Sequence, residues 1–430
     1  MKVTLQVALD FVNADRAISI AKQAVQAGAD WLEAGTPLIK SEGLDVIRRL
    51  KDEFPGHVII ADMKIMDTGS LETEIAAKAG ADIVCVLGAA DDSTIIESVK
   101  AARKYGAKIM VDLINVPDPI TRACALEKLG VDFLCVHVGI DQQMRGKNPL
   151  DFLARLAART RVPLAVAGGV TSETAPGLIK AGASIIIVGG AITKAKDIAL
   201  ATRQMKKAMA TKKAIPSDVQ KKYDAAGLRD AFSQVSTPNI SDAMHKHGAM
   251  HEIRSVVPGL RMVGPALTIE TLNGDWAKPI EAIDMATAGT VLVVSVHGGR
   301  IAVWGELATW SAKRKRLAGV VIDGAVRDID DLHRIRFPVF AKHRVPNAGE
   351  PKGFGDIGGE ITCGGQLVRT GDWIIGDDSG VVVVPQEEAQ EVANRALDVK
   401  EQENRIREEI KGGGSLGSVL KVKKWEKKIG

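Results

Sequence analysis

The first half of the chain repeats one rhythm. A short apolar run ends in a polar turn, an amphipathic stretch follows, and a glycine closes it. The apolar runs cover 3–9, 31–34, 58–63, 83–87, 108–113, 133–138, 164–167 and 185–188. Apolar on both faces and alternating with helical spacing, they predict parallel strands buried under a layer of helices. Glycines stand where the helices should stop, in Ala27-Gly28-Ala29-Asp30, Ala79-Gly80-Ala81-Asp82, Leu129-Gly130-Val131-Asp132 and Ala181-Gly182-Ala183-Ser184. Glycine accepts the left-handed conformation that ends a helix. Eight such units in about 200 residues predict a (β/α)8 barrel, with an open doubly wound sheet as the alternative.

The rhythm stops in a Lys- and Ala-rich stretch that contains Pro216. The pattern therefore divides the chain into a barrel over 1–208, a linker over 209–222 and a second domain over 223–430. In the second domain Gly and Val dominate and strands outnumber helices, which predicts an α/β domain with a β-rich core. There, Ser241-Asp242-Ala243 should cap a short helix. Strands are expected over 290–296, 319–324 and 381–384, a helix over 301–316 and a long charged helix over 387–410.

Composition narrows the class. A chain of 430 residues can bury two cores. With 46% hydrophobic and 26% charged residues it reads as a soluble globular protein. A net charge of +4 neither requires nor excludes an anionic partner. Cys85, Cys124, Cys135 and Cys363 show no paired spacing, and Cys85 and Cys135 sit inside apolar runs, as small core residues of a reducing compartment do. No apolar run approaches the ~18 residues of a membrane span. The first strand begins almost at Met1, leaving no room for a signal peptide, so a cytoplasmic location and no membrane partner are expected. The Lys pairs of the linker lack an aromatic platform, so nucleic acid is not an expected partner either.

Barrels carry their chemistry at the C-terminal ends of the strands. At those ends stand Asp10, Glu33, Asp62, Lys64, Asp112 and His137, while the opposite ends show no comparable set. Asp67 follows on the loop after the third strand, and Gly139 and Asp141 follow His137. Asp62 and Lys64 are two apart, so one face of a strand presents both. Alone, that pair is as easily a structural salt bridge; the company of the other groups favours a site. Glu33 and Asp62 on adjacent strands suit a hard divalent cation, Mg²⁺ or Mn²⁺. Lys64 beside such a cation can stabilise an oxyanion, and His137 can move a proton near neutral pH. Gly168-Gly169 and Gly189-Gly190 follow the seventh and eighth strands, where bare backbone can approach a phosphate.

These residues carry a resemblance. Asp62-x-Lys64-x-x-Asp67 is a motif of the orotidine-monophosphate-decarboxylase-like barrels. Leu5-Gln6-Val7-Ala8-Leu9-Asp10, Glu33-Ala34-Gly35-Thr36-Pro37, Ala61-Asp62-Met63-Lys64, His137-Val138-Gly139-Ile140-Asp141 and Val166-Ala167-Gly168-Gly169 together resemble the 3-hexulose-6-phosphate synthase family. The resemblance covers residues 1–205 and implies Mg²⁺-dependent, reversible aldol addition of ribulose 5-phosphate to formaldehyde. It implies Glu33 and Asp62 as metal ligands, Lys64 as stabiliser of the enediolate and His137 as proton carrier. Asp10 and Asp67 join the catalytic set, Asp67 by reaching a partner's site across a dimer interface. Asp141 and the two Gly-Gly pairs are implied on the substrate side. The related 3-keto-gulonate-6-phosphate decarboxylases, the alternative reading, carry Arg where Gly139 stands.

In the second domain Glu306 and the pair Arg327-Asp328 are separated by twenty residues, with Gly298-Gly299 and Trp304-Gly305-Glu306-Leu307 alongside. With Ile322-Asp323-Gly324-Ala325-Val326-Arg327-Asp328 and the run from Gly371 to Pro385, this resembles the RraA-like family, which includes 4-hydroxy-4-methyl-2-oxoglutarate aldolases. The aldolase branch implies Arg327 polarising a 2-oxo acid, Asp328 at a divalent metal, and backbone amides of Gly305 to Leu307 holding the carboxylate. The alternatives are a non-catalytic regulator or oligomerisation module, and a merely structural Arg327–Asp328 pair. His245, His247 and His251 fit no metal template and are assigned to the surface. The basic stretch 421–428, with one Trp, is assigned no role. The two resemblances together imply a homo-oligomer, a dimer through the barrel and a trimer through the second domain.

Overall fold

In the computed structural model, residues 3–139, 143–144, 150–217 and 222–419 are described. The chain forms two compact units, one built mainly from residues before 218 and one from residues 222–419. No helix among the described residues is long and apolar enough to cross a membrane.

The first unit is a closed parallel barrel of eight strands: β1 (Thr4–Leu9), β2 (Trp31–Ala34), β3 (Val58–Ile65), β4 (Ile83–Leu87), β5 (Lys108–Asp112), β6 (Phe133–His137), β7 (Leu164–Ala167) and β8 (Ile185–Val188). It closes where Val7 of β1 pairs with Val188 of β8. Alternation along each strand sorts the side chains. Leu5, Val7, Leu9, Ile59, Val84 and Val86 point outward and pack under the helices. Ala8, Ile60, Cys85, Met110, Cys135, Ala165 and Ile187 point inward and fill the barrel. At the lower end Trp31 and Phe133 meet edge to face at 5.7 Å. The next inward positions toward the strand C-termini are Glu33, Asp62, Asp112 and His137, so strand parity alone stacks polar groups on an apolar plug.

The lower rim does carry carboxylates, contrary to expectation, but they are tied to backbone. Asp30 accepts from the N–H of Leu5 at 2.9 Å, Asp82 from that of Ile59 at 2.7 Å and Asp132 from that of Ile109 at 2.8 Å. The recurring Gly-x-Asp after a helix thus fixes the neighbouring strand start, a structural duty repeated three times.

The third strand is not a plain alternation. Its pairing with β4 jumps from Ala61↔Val84 to Ile65↔Val86, a bulge, and Lys64 adopts φ 49°. A non-glycine residue there costs on the order of 1–3 kcal/mol and persists only where its surroundings hold it.

The second unit is a mixed sheet in the order β19-β18-β10-β11-β13-β14-β9, with β12 beside β13 and β15 beside β10. The strands are β9 (Arg254–Ser255), β10 (Met262–Glu270), β11 (Val291–Ser295), β12 (Ala302–Trp304), β13 (Gly319–Val326), β14 (Val339–Arg344), β15 (Asp356–Ile357), β18 (Trp373–Asp377) and β19 (Gly380–Val384); β16 (Ile361–Cys363) and β17 (Gln366–Val368) form a separate hairpin. Strand β13 is buried along its whole length. Helix Ala277–Met285 packs on one core, and the first half of helix Ala389–Lys411 on another.

Three expectations are corrected here. The helix cap is Ser236, whose side chain accepts from the N–H of Asn239, and Ser241-Asp242-Ala243 form the last turn of that helix. The segment expected as one helix over 301–316 is strand β12 followed by helix Glu306–Arg314, with Gly305 extended between them because β12 pairs with β13 through Ala302 and Trp304. Strands β10 and β14 are additional; Gly264 and Pro265 hide the first of these from a pattern search.

Candidate functional site

The mouth of the barrel gathers one ionic network. The Lys64 ammonium lies 3.2 Å from Asp62 and 3.0 Å from Asp112. Asp112 Oδ2 also meets His137 Nδ1 at 2.8 Å, and Asp112 Oδ1 accepts from the N–H of Ile114 at 2.9 Å. The Thr36 hydroxyl donates to the Asp62 carboxylate at 2.7 Å. Gln6 Nε2 donates to Glu33 at 2.5 Å. Asp62 and Lys64 reach this cluster from within the bulged stretch of β3.

Burial decides the electrostatics. Glu33, Asp62 and Asp112 are 7%, 8% and 4% exposed. Burial, then the charges of Asp62 and Asp10, push the Glu33 carboxyl well above its usual range. Asp10 opens to solvent at the rim, yet the surrounding protein and the Asp62 charge raise its carboxyl as well. For Asp112 burial acts upward, but the hydrogen bond and charge of His137 and the charge of Lys64 outweigh it and hold the carboxyl below its usual range. Burial acts downward on Lys64, and Asp62 and Asp112 overcome it, so the ammonium stays charged. Cys85 and Cys135, one layer below, are pushed up by burial and by the carboxylates, which keeps both as neutral thiols.

The carboxylates Asp10, Glu33 and Asp62 therefore repel one another, with Lys64 opposing the repulsion at Asp10 and Glu33 and Lys194 at Asp10, and Gln6 Oε1 is buried without a hydrogen-bond partner among the described residues. Among the described residues no three His, Cys, Asp or Glu side chains are arranged to hold a metal by themselves. A Mg²⁺ bound by one or two carboxylates, with its remaining positions filled by water and substrate, needs no such cage. The hard oxygen donors Glu33 and Asp62 fit that kind of cation.

The other expected residues lie as follows. Gly168 and Gly169 have φ 100° and 67° after β7, and a Cβ at Gly168 would collide with the carbonyl of Val138. Gly189 and Gly190 follow β8, with a Cβ at Gly189 3.4 Å from Asp10 and one at Gly190 3.1 Å from Lys194. Asp67 is not brought to the cluster. It is exposed and accepts from the N–H of Thr68 at 2.7 Å. Asp141 lies outside the described residues. Sequence reasoning left three partners without a role: Asp112, Thr36 and Gln6. The inward parity Lys108, Met110, Asp112 on β5 was the available signal for the first.

In the second unit Arg327 and Asp328 follow β13, where Arg327 donates its N–H to the carbonyl of Trp304. The Asp328 carboxylate lies 3.6 Å from Arg327 Nε and accepts from the N–H of Glu306 at 3.1 Å. Asp328 takes φ 61°, and Gly305 is required beside it, because a Cβ there would lie 2.5 Å from the carboxylate. Leu307 is 79% exposed. His245, His247 and His251 show no ligand grouping among the described residues.

Comparison with known proteins matches these two constructions separately. A relative from Mycobacterium gastri named 3-hexulose-6-phosphate synthase is 45% identical over 206 residues, which is 48% of this chain and 99% of that protein. The model of the orotidine 5′-phosphate decarboxylase / HUMPS family matches residues 4–205. The chain belongs to that family. A second HUMPS relative of the same name, from Bacillus subtilis strain 168, is 44% identical over 203 residues, 47% of this chain and 96% of that protein. The solved 3-hexulose-6-phosphate synthase from Salmonella typhimurium is 38% identical, with a TM-score of 0.47, covering 49% of this chain and 99% of that one. The RraA-like family model, described as Aldolase/RraA, matches residues 237–383. The HUMPS motifs thus fall on or just after β1, β2, β3, β6 and β7; β3 and β6 supply Asp62, Lys64 and His137 to the ionic network, and Asp112 joins them from β5.

Proposed function

We propose that the barrel is an aldehyde-lyase that adds the C1 carbon of ribulose 5-phosphate to formaldehyde, giving 3-hexulose 6-phosphate, and runs the reverse cleavage. The observation that carries this reading is the Asp62–Lys64–Asp112–His137 network, with spacings of 3.2, 3.0 and 2.8 Å at the barrel mouth, in a chain aligned along nearly the whole length of relatives bearing that name. Asp112 orients His137 through Nδ1, leaving the other ring nitrogen to take a proton from the carbon beside the substrate carbonyl. Lys64, held charged, faces the oxygen on which negative charge then grows, and a fixed cation in a dry site stabilises it without reorganising. The carbanionic carbon forms its bond to formaldehyde, and the formaldehyde oxygen receives the proton. Glu33 and Asp62 would hold Mg²⁺, which supplies Lewis-acid charge at the substrate oxygens. The glycines after β7 and β8, with Lys194 beside Gly190, would take the phosphate. Gly139 stands where the decarboxylases carry Arg, which supports the synthase reading. The test is formaldehyde consumption with ribulose 5-phosphate, with and without chelator, for the full chain and for Asp62→Ala. Release of CO₂ from 3-keto-gulonate 6-phosphate in preference to formaldehyde turnover would reverse the assignment.

For the second unit we infer a divalent-metal-dependent lyase acting on a 2-oxo acid, with Arg327 at the carbonyl and Asp328 at the metal. The support is the juxtaposition of Arg327, Asp328 and the Glu306 N–H at one strand end. Metal-dependent pyruvate release from oxaloacetate by the full chain, lost in Asp328→Ala, checks it; inertness assigns the unit to a non-catalytic role. The proposed assembly is a homo-oligomer, and sedimentation at the mass of one chain would refute it. The proposed location is the cytoplasm.

A further inference from the structure

The second unit contains an open cavity of about 550 Å³ to which neither Arg327 nor Asp328 contributes. Five of its lining residues are Arg254, Arg300, Lys342, His343 and Arg344. The chain builds it in a definite way. Strand β14 runs to Arg344, but β9 pairs with it only at Phe340 and Ala341, so the basic end of β14 has no β9 residue alongside. Arg254 stands across from Ala341 at the last paired position. Arg300 comes from the loop after β11, next to Gly298-Gly299.

Like charges gathered in a concavity repel, so the arrangement is stable only against counter-charge. Two carboxylates supply part of it: Glu252 lies 2.9 Å from Lys342, and Asp323 lies 3.5 Å from the same ammonium. Arg344 donates to the carbonyl of Ser255 at 3.2 Å, a neutral acceptor. Arg254 and Arg300 have no acidic partner among the described residues. Four Lys and Arg side chains against two carboxylates leave an excess of two positive charges, before any charge on His343.

We propose that this cavity binds a small dianion of the phosphate-ester class, with Arg254, Arg300 and Arg344 as its guanidinium donors. The volume is that of a small-ligand site. Guanidinium forks match phosphate oxygens in pairs. Among the described residues no Phe, Tyr or Trp lines the cavity, so it lacks the large stacking platforms that single-stranded nucleic acid uses. The ligand's charge balances the excess that the protein leaves open.

The test uses the full chain and pyrophosphate as probe. Arginines are labelled with phenylglyoxal, and each peptide is quantified by mass spectrometry across a pyrophosphate titration. Protection of Arg254, Arg300 and Arg344, with Arg327 labelled at an unchanged rate, is the expected result. In Arg254→Ala/Arg300→Ala, protection of Arg344 should require about tenfold more pyrophosphate, while formaldehyde turnover and the unfolding temperature stay at the parent values. Absence of protection overturns the proposal, as does equal protection of Arg327, which would move the ligand to the RraA-type strand end. Protection by a single-stranded RNA oligomer at lower concentration than pyrophosphate overturns it in favour of an extended polyanion.

Discussion

The two units use the same side chains in opposite surroundings. In the barrel, Lys64 sits between Asp62 and Asp112 within 3.2 Å of each, and those two carboxylates are almost wholly out of water. In the second unit, Arg327 and Asp328 are 3.6 Å apart, with 45% and 36% of their side chains exposed. A desolvated network is stiff, and removing one member strands the others as buried charges. An exposed pair contributes little to the fold and keeps its charge free for a ligand. The barrel network is thus held by its own charges out of water, whereas the Arg327–Asp328 pair stands partly in solvent.

The strongest way to break this contrast is Lys64→Ala. It should lower formaldehyde turnover by about 10³-fold or more and, by leaving Asp62 and Asp112 uncompensated, destabilise the protein by about 3–5 kcal/mol. Turnover assays and denaturant unfolding read the two effects; a stable variant would show that the network is not desolvated. Asp112→Asn removes the common partner of Lys64 and His137. It should cut turnover about 10²-fold and shift the pH–rate profile. The native Asp112 carboxyl lies below its unfolded value, so its stabilising contribution is present above that value and is lost as pH falls through the native one. The stability gap between parent and Asp112→Asn should therefore close in acid; a gap constant with pH would contradict this.

Glu33→Gln runs the other way. The native Glu33 carboxyl is raised, so its protonated form is favoured by folding, and the stability it lends is full at low pH and lost as pH rises through the raised native value. Above the unfolded value the raised carboxyl is a cost to the fold, and Gln should raise the unfolding temperature at neutral pH by a few degrees while abolishing Mg²⁺-dependent turnover. A lower unfolding temperature would mean that Glu33 is compensated within the fold. The smallest effect is expected for Asp328→Ala, which should cost about 1 kcal/mol through the lost hydrogen bond to the Glu306 N–H and the left-handed backbone at 328, leave formaldehyde turnover unchanged and remove pyruvate release.

Much of the barrel was legible before any coordinates. All eight strands begin and end within two residues of the pattern, because parallel strands buried on both faces are mostly apolar and a glycine follows many of the intervening helices. The second unit was legible only in pieces. Its sheet mixes parallel and antiparallel partners, β10 carries Gly264 and Pro265, and β12 is three residues long, so no single period marks them.

Sequence by itself determined which residues face inward, since parity along a strand is a local property, and so it put Glu33, Asp62, Lys64 and His137 at one rim. It did not determine who touches whom there. That Asp112 joins Lys64 to His137, that Lys64 stands there in a left-handed conformation, and that Arg254, Arg300 and Arg344 share one cavity follow from strands and loops far apart in the chain being closed into sheets. Contact and desolvation are properties of that closure, and they set the charges on which the chemistry depends.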